Sequence, residues 1–355
     1  NRYTSFRHRY PIATYLVALA VTNYQVSDNW IVVGNDTMLL QNFSYPESAG
    51  VFNGFTEFHV NAFEAFTKWF EPYPFRKEKY GHTQWDWNGG MEHQTNTFIN
   101  MPAPAIASHE LAHQWFGDLV TCGSWRDVWL NEGFATYGTL LFNEYAYPAY
   151  FRSGLRAALN NITSLPDGSV IVSDTTSENR IFSGRLSYNK GAYVLHMLRW
   201  VLGDSLFAKG IRNYLKDPAV RGGFAVTADL QRHLENAGGR SLSSFFKKWI
   251  YGEGYPNYEA EWSQNSNNWV RVKLKQTTTH PSVGFYEMPV PVLLKGASGT
   301  LNAVLDHKES GQEFWINAGF PVDSLFIDPD SWILSKSKFS YKVSTTGEKN
   351  QVRVF

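Results

Sequence analysis

The stretch ASHELAHQWFGD, residues 107–118, sets His109 and His113 four positions apart with Glu110 beside the first. On a helix, residues four apart stand one above the other on one face, so both imidazoles can meet a single cation. Glu110 lies roughly 100° round the helix from His109, where it can reach a water on that cation without being a ligand. Two ligands do not close a site. Glu132, in WLNEGFATY, follows His113 after a gap of 18 residues on a second helical pattern that can pack against the first. If His109, His113 and Glu132 converge, they form a three-ligand face, and the packing of two helices is fixed by chemistry. Imidazole and carboxylate suit zinc with one position left open for water, and zinc brings that water's pKa to about 7. The plain alternative is two histidines without a role in a chain that holds ten. The third ligand at a workable distance argues against it.

The periodicity around this motif predicts an α+β chain. Residues 1–45 are β-branched and aromatic, with turn signals at SDN and GND, and read as the end of an N-terminal β domain. The chain opens on that strand-like run without a turn or cap, which suggests that most of such a domain lies outside it. FTEFHVNAFEAFTKWF, residues 55–70, has helical period, with Phe58, Ala62, Phe63, Phe66 and Phe70 on one face. YGHTQWDW alternates like an edge strand and runs into NGGMEHQT. Prolines then open the HELAH helix, LVTC reads as a short strand, and RDVWLNEGFATYGTLLFNEY reads as the next helix. Four further helical segments follow between residues 187 and 252. After GEGYPNY, regularly spaced alternating runs predict a small β-sandwich. The expected divisions are 1–45, a catalytic domain over 46–256, a β-sandwich over 257–340, and a polar tail or linker over 341–355.

Composition removes several function classes. Lys plus Arg equals Asp plus Glu at 32 each, so nothing steers the molecule toward nucleic acid or an anionic membrane. The basic knot Arg7-His8-Arg9 is short. A single cysteine, Cys122, excludes an intramolecular disulfide and a cysteine cage for zinc. YLVALAV is too short to span a bilayer, and no signal-peptide pattern precedes it.

With HELAHQWFGD, WLNEGFA, GGMEH and SYNKG in this order, the chain resembles the zinc aminopeptidases of the aminopeptidase N and leukotriene hydrolase family. YPIATYLVALAV resembles the family's last N-domain strands and WIYGEGYP its exit from the catalytic domain, so the resemblance covers about residues 1–258. It implies a thermolysin-like catalytic domain, a small mixed sheet with a helical subdomain, followed by the β-sandwich. It also implies one zinc ion on His109, His113 and Glu132, with Glu110 as general base and Tyr188 as donor to the oxyanion. Glu92 would grip the free α-ammonium of a peptide, and the backbone of Gly89, Gly90 and Met91 would line its first residue. His93 stands where the family has asparagine and is given no catalytic role. A second amine anchor from the N-terminal β domain and the family's large C-terminal helical domain are not found in this sequence.

The reading is therefore a zinc metallo-aminopeptidase acting on peptides with a free N-terminus. The alternatives are a thermolysin-like endopeptidase, which does not need Glu92, and a non-catalytic secreted binding protein built on the aromatic-rich sandwich. A lipid epoxide hydrolase follows from family analogy alone. The tail STTGEKNQVRVF resembles the junction before C-terminal sorting domains of some secreted bacterial proteins, so an extracellular or cell-surface location is expected, with a cytoplasmic or periplasmic one as the alternative.

Overall fold

The structure, a computed structural model, describes every residue except 1, 2, 4, 6, 35, 344–348 and 353–355, with the backbone alone at 349–352. Two long strands, β1 (Gln25–Val33) and β2 (Asp36–Ser44), form an antiparallel hairpin. The helix α1 (Thr56–Trp69) follows, and its apolar face buries Phe58, Ala62, Phe63 and Phe66 as the period predicts. Phe63 and Phe66 are fully buried, each contributing about 1.5–3 kcal/mol by removal from water. Three short strands, β3 (His82–Gln84), β4 (Gly90–Met91) and β5 (Thr97–Ile99), complete a mixed sheet in the order β1-β2-β3-β5-β4.

Two expectations change here. Residues 25–44, read as the end of a separate N-terminal domain, instead begin the sheet that ends in β4. The strand β3 lies inside that sheet, not at its edge, and His82, Thr83 and Gln84 are all buried. Their polarity misled because it is satisfied internally: Asn42 Oδ1 accepts from the His82 backbone, and Gln84 Oε1 accepts from the Tyr45 backbone. The true edge is β4. Residues 17–21 form no strand among the described residues, and Val17, Leu19 and Val21 are exposed.

The helical part follows. The helix α2 (Pro104–His113) carries the HELAH motif and has proline in its first turn. The strand β6 (Val120–Cys122) leads to α3 (Trp129–Ala146), which packs against α2 so closely that a Cβ at Gly138 would strike the Cβ of Ala112. Then come α4 (Pro148–Ile162), a seven-residue π-helical turn at Gly184–Lys190, and α5 (Gly191–Leu202). Two more helices, α6 (Asp204–Lys216) and α7 (Thr227–Gly238), flank β7 (Gly223–Ala225), which pairs parallel with β6. No helix among the described residues is long and apolar enough to cross a membrane.

The C-terminal part consists of two sheets. β8 (Pro256–Gln264) and β9 (Trp269–Thr278) pair with each other, and β10 (Met288–Gly296) pairs with β11 (Gly299–His307). β12 (Gln312–Asn317) joins β9, β13 (Ser324–Ile327) joins β10, and β14 (Lys338–Val343) runs parallel to β8. Alternate residues such as Tyr258, Trp262, Val272, Leu274, Val290 and Val292 are buried in one shared core. β15 (Lys349–Val352) pairs with β14, so part of the expected polar tail is strand. The rest of the tail, on which the export expectation leaned, lies at 344–348 and 353–355, outside the described residues.

Candidate active site

Helix α2 delivers two imidazoles and α3 delivers a carboxylate to one point. His109 Nε2 and His113 Nε2 are 3.1 Å apart, and Glu132 Oε2 is 3.3 Å from each. Ligand atoms at about 2.0–2.1 Å from a tetrahedral zinc ion stand about 3.4 Å apart, so this triangle has the size such an ion requires. Its chemistry agrees. His113 Nδ1 donates to the Phe116 carbonyl at 2.9 Å, which orients the ring and leaves Nε2 as the atom turned toward His109 and Glu132. Two imidazole nitrogens and a carboxylate turned toward one point fit a cation better than they fit one another.

Charge in this buried cluster is strongly coupled. Burial alone would raise the Glu132 carboxyl, but charge on His113 and hydrogen bonds from both histidines hold it well below the usual carboxylate range. Burial pushes Glu110 well above that range, and the charges of Glu92 and Glu132 push it further, against the opposing influence of His113. Burial likewise raises the Tyr188 phenol, helped by Glu132, so it stays protonated and able to donate.

Tyr188 reaches the site from the π-helical turn, its ring stacked 5.9 Å from that of His109. The approach is possible because α3 and α5 cross at glycine. A Cβ on Gly133 would lie 3.0 Å from the Gly191 backbone. Behind the turn, the buried Lys190 ammonium donates to the carbonyls of Gly168 and Gly254 at 2.6 and 3.1 Å.

The edge strand β4 supplies the remaining predicted residues. Gly90 and Met91 line the cavity directly beside Glu110. Glu92 follows them, buried, and one carboxylate oxygen each from Glu92 and Glu110 lies within 4.8 Å of a His113 ring nitrogen. Gly89 precedes them with a φ of +95° and lines a second cavity on the far side. His93 turns away, its Nδ1 pairing with the Leu16 carbonyl at 3.0 Å. All nine residues singled out in the sequence thus lie around one centre.

Two cavities meet at Gly90, His109, Glu110 and Tyr188. One, of about 720 Å³, contains Glu92 and Met91 and is walled by Tyr15, Trp125, Val128 and Phe182. The other, of about 490 Å³, runs along α3 and α4. Sequence reading missed Tyr15, whose hydroxyl approaches Glu92 Oε1 and the Gly117 carbonyl at 3.4 Å each. It also missed Asp118, buried without a hydrogen-bond partner and raised by burial and by the charge of Glu92. Asp118 stands inside the quoted HELAHQWFGD, but nothing in the spacing aims its side chain. Lys190, in SYNKG, was visible as a motif residue without a role.

Residues 91–249 match the model of the peptidase family M1 domain. The chain is 30% identical over 220 residues to the tricorn protease-interacting factor F2 of Thermoplasma volcanium, covering 60% of this chain and 27% of that protein. It is 33% identical over 217 residues to probable aminopeptidase 1 of Saccharolobus solfataricus, covering 58% and 26%. It is 36% identical over 168 residues to aminopeptidase N of Lactococcus lactis, covering 44% and 19%. The chain therefore spans about a quarter of the length of these curated relatives. Among solved structures, aminopeptidase A of Legionella pneumophila shares the fold, with a TM-score of 0.74 at 18% identity over 90% of this chain and 39% of that one. The M1 zinc metallopeptidase of Deinococcus radiodurans superposes with a TM-score of 0.59 at 28% identity over 69% and 56%. The ligand triangle, Glu92, Glu110 and Tyr188 all fall inside residues 91–249, the segment that is similar to the peptidase family M1 domain.

Proposed function

We propose that this chain is the catalytic part of a zinc aminopeptidase that removes the first residue of peptides. The observation that carries this reading is the position of Glu92, a buried carboxylate within 4.8 Å of the His113 nitrogen and on the sheet's free edge. An extended peptide can add to β4 as a further strand, and Glu92 then pairs with its α-ammonium. That pairing fixes which peptide bond lies beside the ligand triangle.

His109, His113 and Glu132 would hold the zinc ion. Bound there, zinc supplies a Lewis acid and a nucleophilic water at neutral pH. Glu110 takes the proton of the attacking water and returns it to the leaving amine. Tyr188 donates a hydrogen bond to the carbonyl oxygen as negative charge develops on it. Backbone groups of Gly89, Gly90 and Met91 line the first residue and hold it in register. General acid-base work of this kind contributes about 10²–10⁴-fold in rate.

The test is hydrolysis of leucine p-nitroanilide and its N-acetylated form by the zinc-loaded chain. Turnover of the free amine alone supports the reading, and Glu92→Ala should raise its KM. Equal turnover of the two would identify an endopeptidase. Glu110→Gln should keep zinc and lose nearly all turnover; a zinc-loaded chain inert toward every peptide would leave the binding-protein reading standing.

A further inference from the structure

We propose that the β-sandwich helps to place the phenol of Tyr188, with Tyr255 and Thr279 as the positioning residues. This rests on the reading of Tyr188 as the oxyanion donor and concerns what holds that donor in place. The link is the loop of residues 163–168, which follows α4 and belongs to no helix or strand. Its carbonyls are bound from two sides. From the sandwich, the Tyr255 hydroxyl donates to the Thr163 carbonyl at 3.1 Å, and the Thr279 hydroxyl donates to the Pro166 carbonyl at 2.7 Å. Just before the sandwich, Glu253 Oε2 accepts from the Gly168 backbone at 3.1 Å. From the π-helical turn, the Arg185 guanidinium donates to the Asp167 carbonyl and carboxylate at 2.8 Å each, and Lys190 takes the Gly168 carbonyl. Arg185 and Lys190 flank Tyr188 in that turn. The loop is thus a spacer, gripped by the sandwich on one side and by the two cations around Tyr188 on the other.

Close packing leaves this linkage little slack. Gly168 and Gly254 have φ of +89° and +81°, where a side chain is strained in any case. A Cβ on Gly168 would stand 2.6 Å from Leu186 in the turn. One on Gly254 would stand 2.6 Å from the Thr279 hydroxyl and 2.9 Å from the Pro166 carbonyl. The two positioning residues also brace each other. Thr279 Oγ1 accepts from the Tyr255 backbone at 3.0 Å, and the Tyr255 carbonyl accepts from the Thr279 backbone at 3.1 Å. On the other flank of the turn, Tyr193 of α5 donates to the Ser331 carbonyl of the sandwich at 2.6 Å. Without the Tyr255 or Thr279 hydroxyl, the loop loses its hold on the sandwich and the turn gains freedom. The phenol then meets the developing charge in fewer molecules, and a misplacement of about 1 Å costs on the order of a hundredfold in rate. The ligand triangle and Glu92 are carried by α2, α3 and the end of β4, away from this linkage, so binding of metal and substrate should not suffer.

The experiment compares Thr279→Val and Tyr255→Phe in the zinc-loaded chain, on leucine p-nitroanilide, with rates normalised to bound zinc. Each should lower kcat about tenfold with KM nearly unchanged, short of the roughly hundredfold that loss of the donor itself costs. Thr279→Ser, which keeps the hydroxyl, should restore most of the rate. In a Tyr188→Phe background neither substitution should slow the reaction further, because the group they position is already gone. A sandwich that only adds stability would lower the thermal midpoint and show no such dependence on Tyr188. Unchanged kcat in both variants, a change confined to KM, no rescue by serine, or a further fall when either is combined with Tyr188→Phe overturns the proposal. Tyr255→Phe removes a single hydroxyl and decides the matter alone should Thr279→Val not fold. If Tyr188→Phe itself leaves kcat untouched, the oxyanion reading falls and the positioning role with it. If Tyr188→Phe is slow and the sandwich variants are not, only the positioning role falls.

Discussion

A Cβ on Gly90 would stand 2.6 Å from Oε1 of Glu110. The edge strand and the base are packed together with no room for a side chain between them. Gly90→Ala should therefore displace the Glu110 carboxylate while leaving His109, His113 and Glu132 untouched. The expected outcome is loss of about a hundredfold or more in kcat, with one zinc per chain still bound. Near-normal turnover by a zinc-replete Gly90→Ala protein would show that Glu110 is not the base or has another way to reach its water.

Lys190 lies in the π-helical turn that carries Tyr188 and should affect turnover only through it. Its ammonium ties the π-helical turn to the Gly168 loop and to Gly254 at the start of the sandwich. Lys190→Met keeps the length of the side chain and leaves two carbonyls without their donor, at a cost of about 1–3 kcal/mol for each buried group left unpaired. The phenol should then wander from the carbonyl oxygen. We expect kcat to fall with KM nearly constant, the pattern of a lost transition-state contact. Tyr188→Phe should cost about a hundredfold or more by itself. The double variant Tyr188→Phe/Lys190→Met should be no slower than Tyr188→Phe, since both remove one function. Additive losses would mean that Lys190 acts elsewhere.

Metal removal should be visible as stability. The triangle buries two imidazoles and a carboxylate that fit a cation, and an ion bound only by the folded chain stabilises it by mass action. At a free concentration 1,000 times Kd that is about 4 kcal/mol. Chelation should lower the thermal midpoint by several degrees, and zinc should restore it. Glu110→Gln should keep this response, while Glu132→Ala should abolish it. A midpoint indifferent to chelator in a protein shown to lose its zinc would remove the ligand assignment.

The legible part of this site was the part written in helical spacing. His109 and His113 stand four apart, an interval that helix geometry converts directly into a shared face, Glu132 was placed by its spacing to a second helix that packs on the first, and Tyr188 and Glu92 came from motif resemblance. What stayed hidden depends on long-range closure. Tyr15 meets Glu92 across 77 positions of sequence, and nothing local aims it there. The strand β3 looked like an edge because His82, Thr83 and Gln84 are polar, yet Asn42 and Tyr45, some 40 residues earlier, pair with them. The π-helical turn that presents Tyr188 is braced by the Lys190 contacts to the Gly168 and Gly254 carbonyls, which periodicity does not encode. In the C-terminal half, alternation disclosed strands β9 to β12, but the pairing of β14 with β8 crosses the whole sandwich.

Acid should unfold this protein through histidines far from the metal ligands. Burial pushes His59 down to about 4. Burial, with the charge of Arg199 beside it, pushes His196 down to about 3. In the unfolded chain both return to about 6.5, so as pH falls the unfolded state takes up protons first. The stability gained by burying them neutral is complete above about 6.5 and is lost progressively as pH falls toward about 4. Across that window each histidine costs on the order of 3 kcal/mol. His196 stacks on Trp332 with ring centroids 4.4 Å apart, an arrangement that phenylalanine can keep. Urea midpoints measured from pH 7 to 4 on chelated protein should fall steeply for the unmodified chain and less steeply for His196→Phe. Parallel slopes for the two would mean that His196 is protonated in the folded state or reaches water before unfolding.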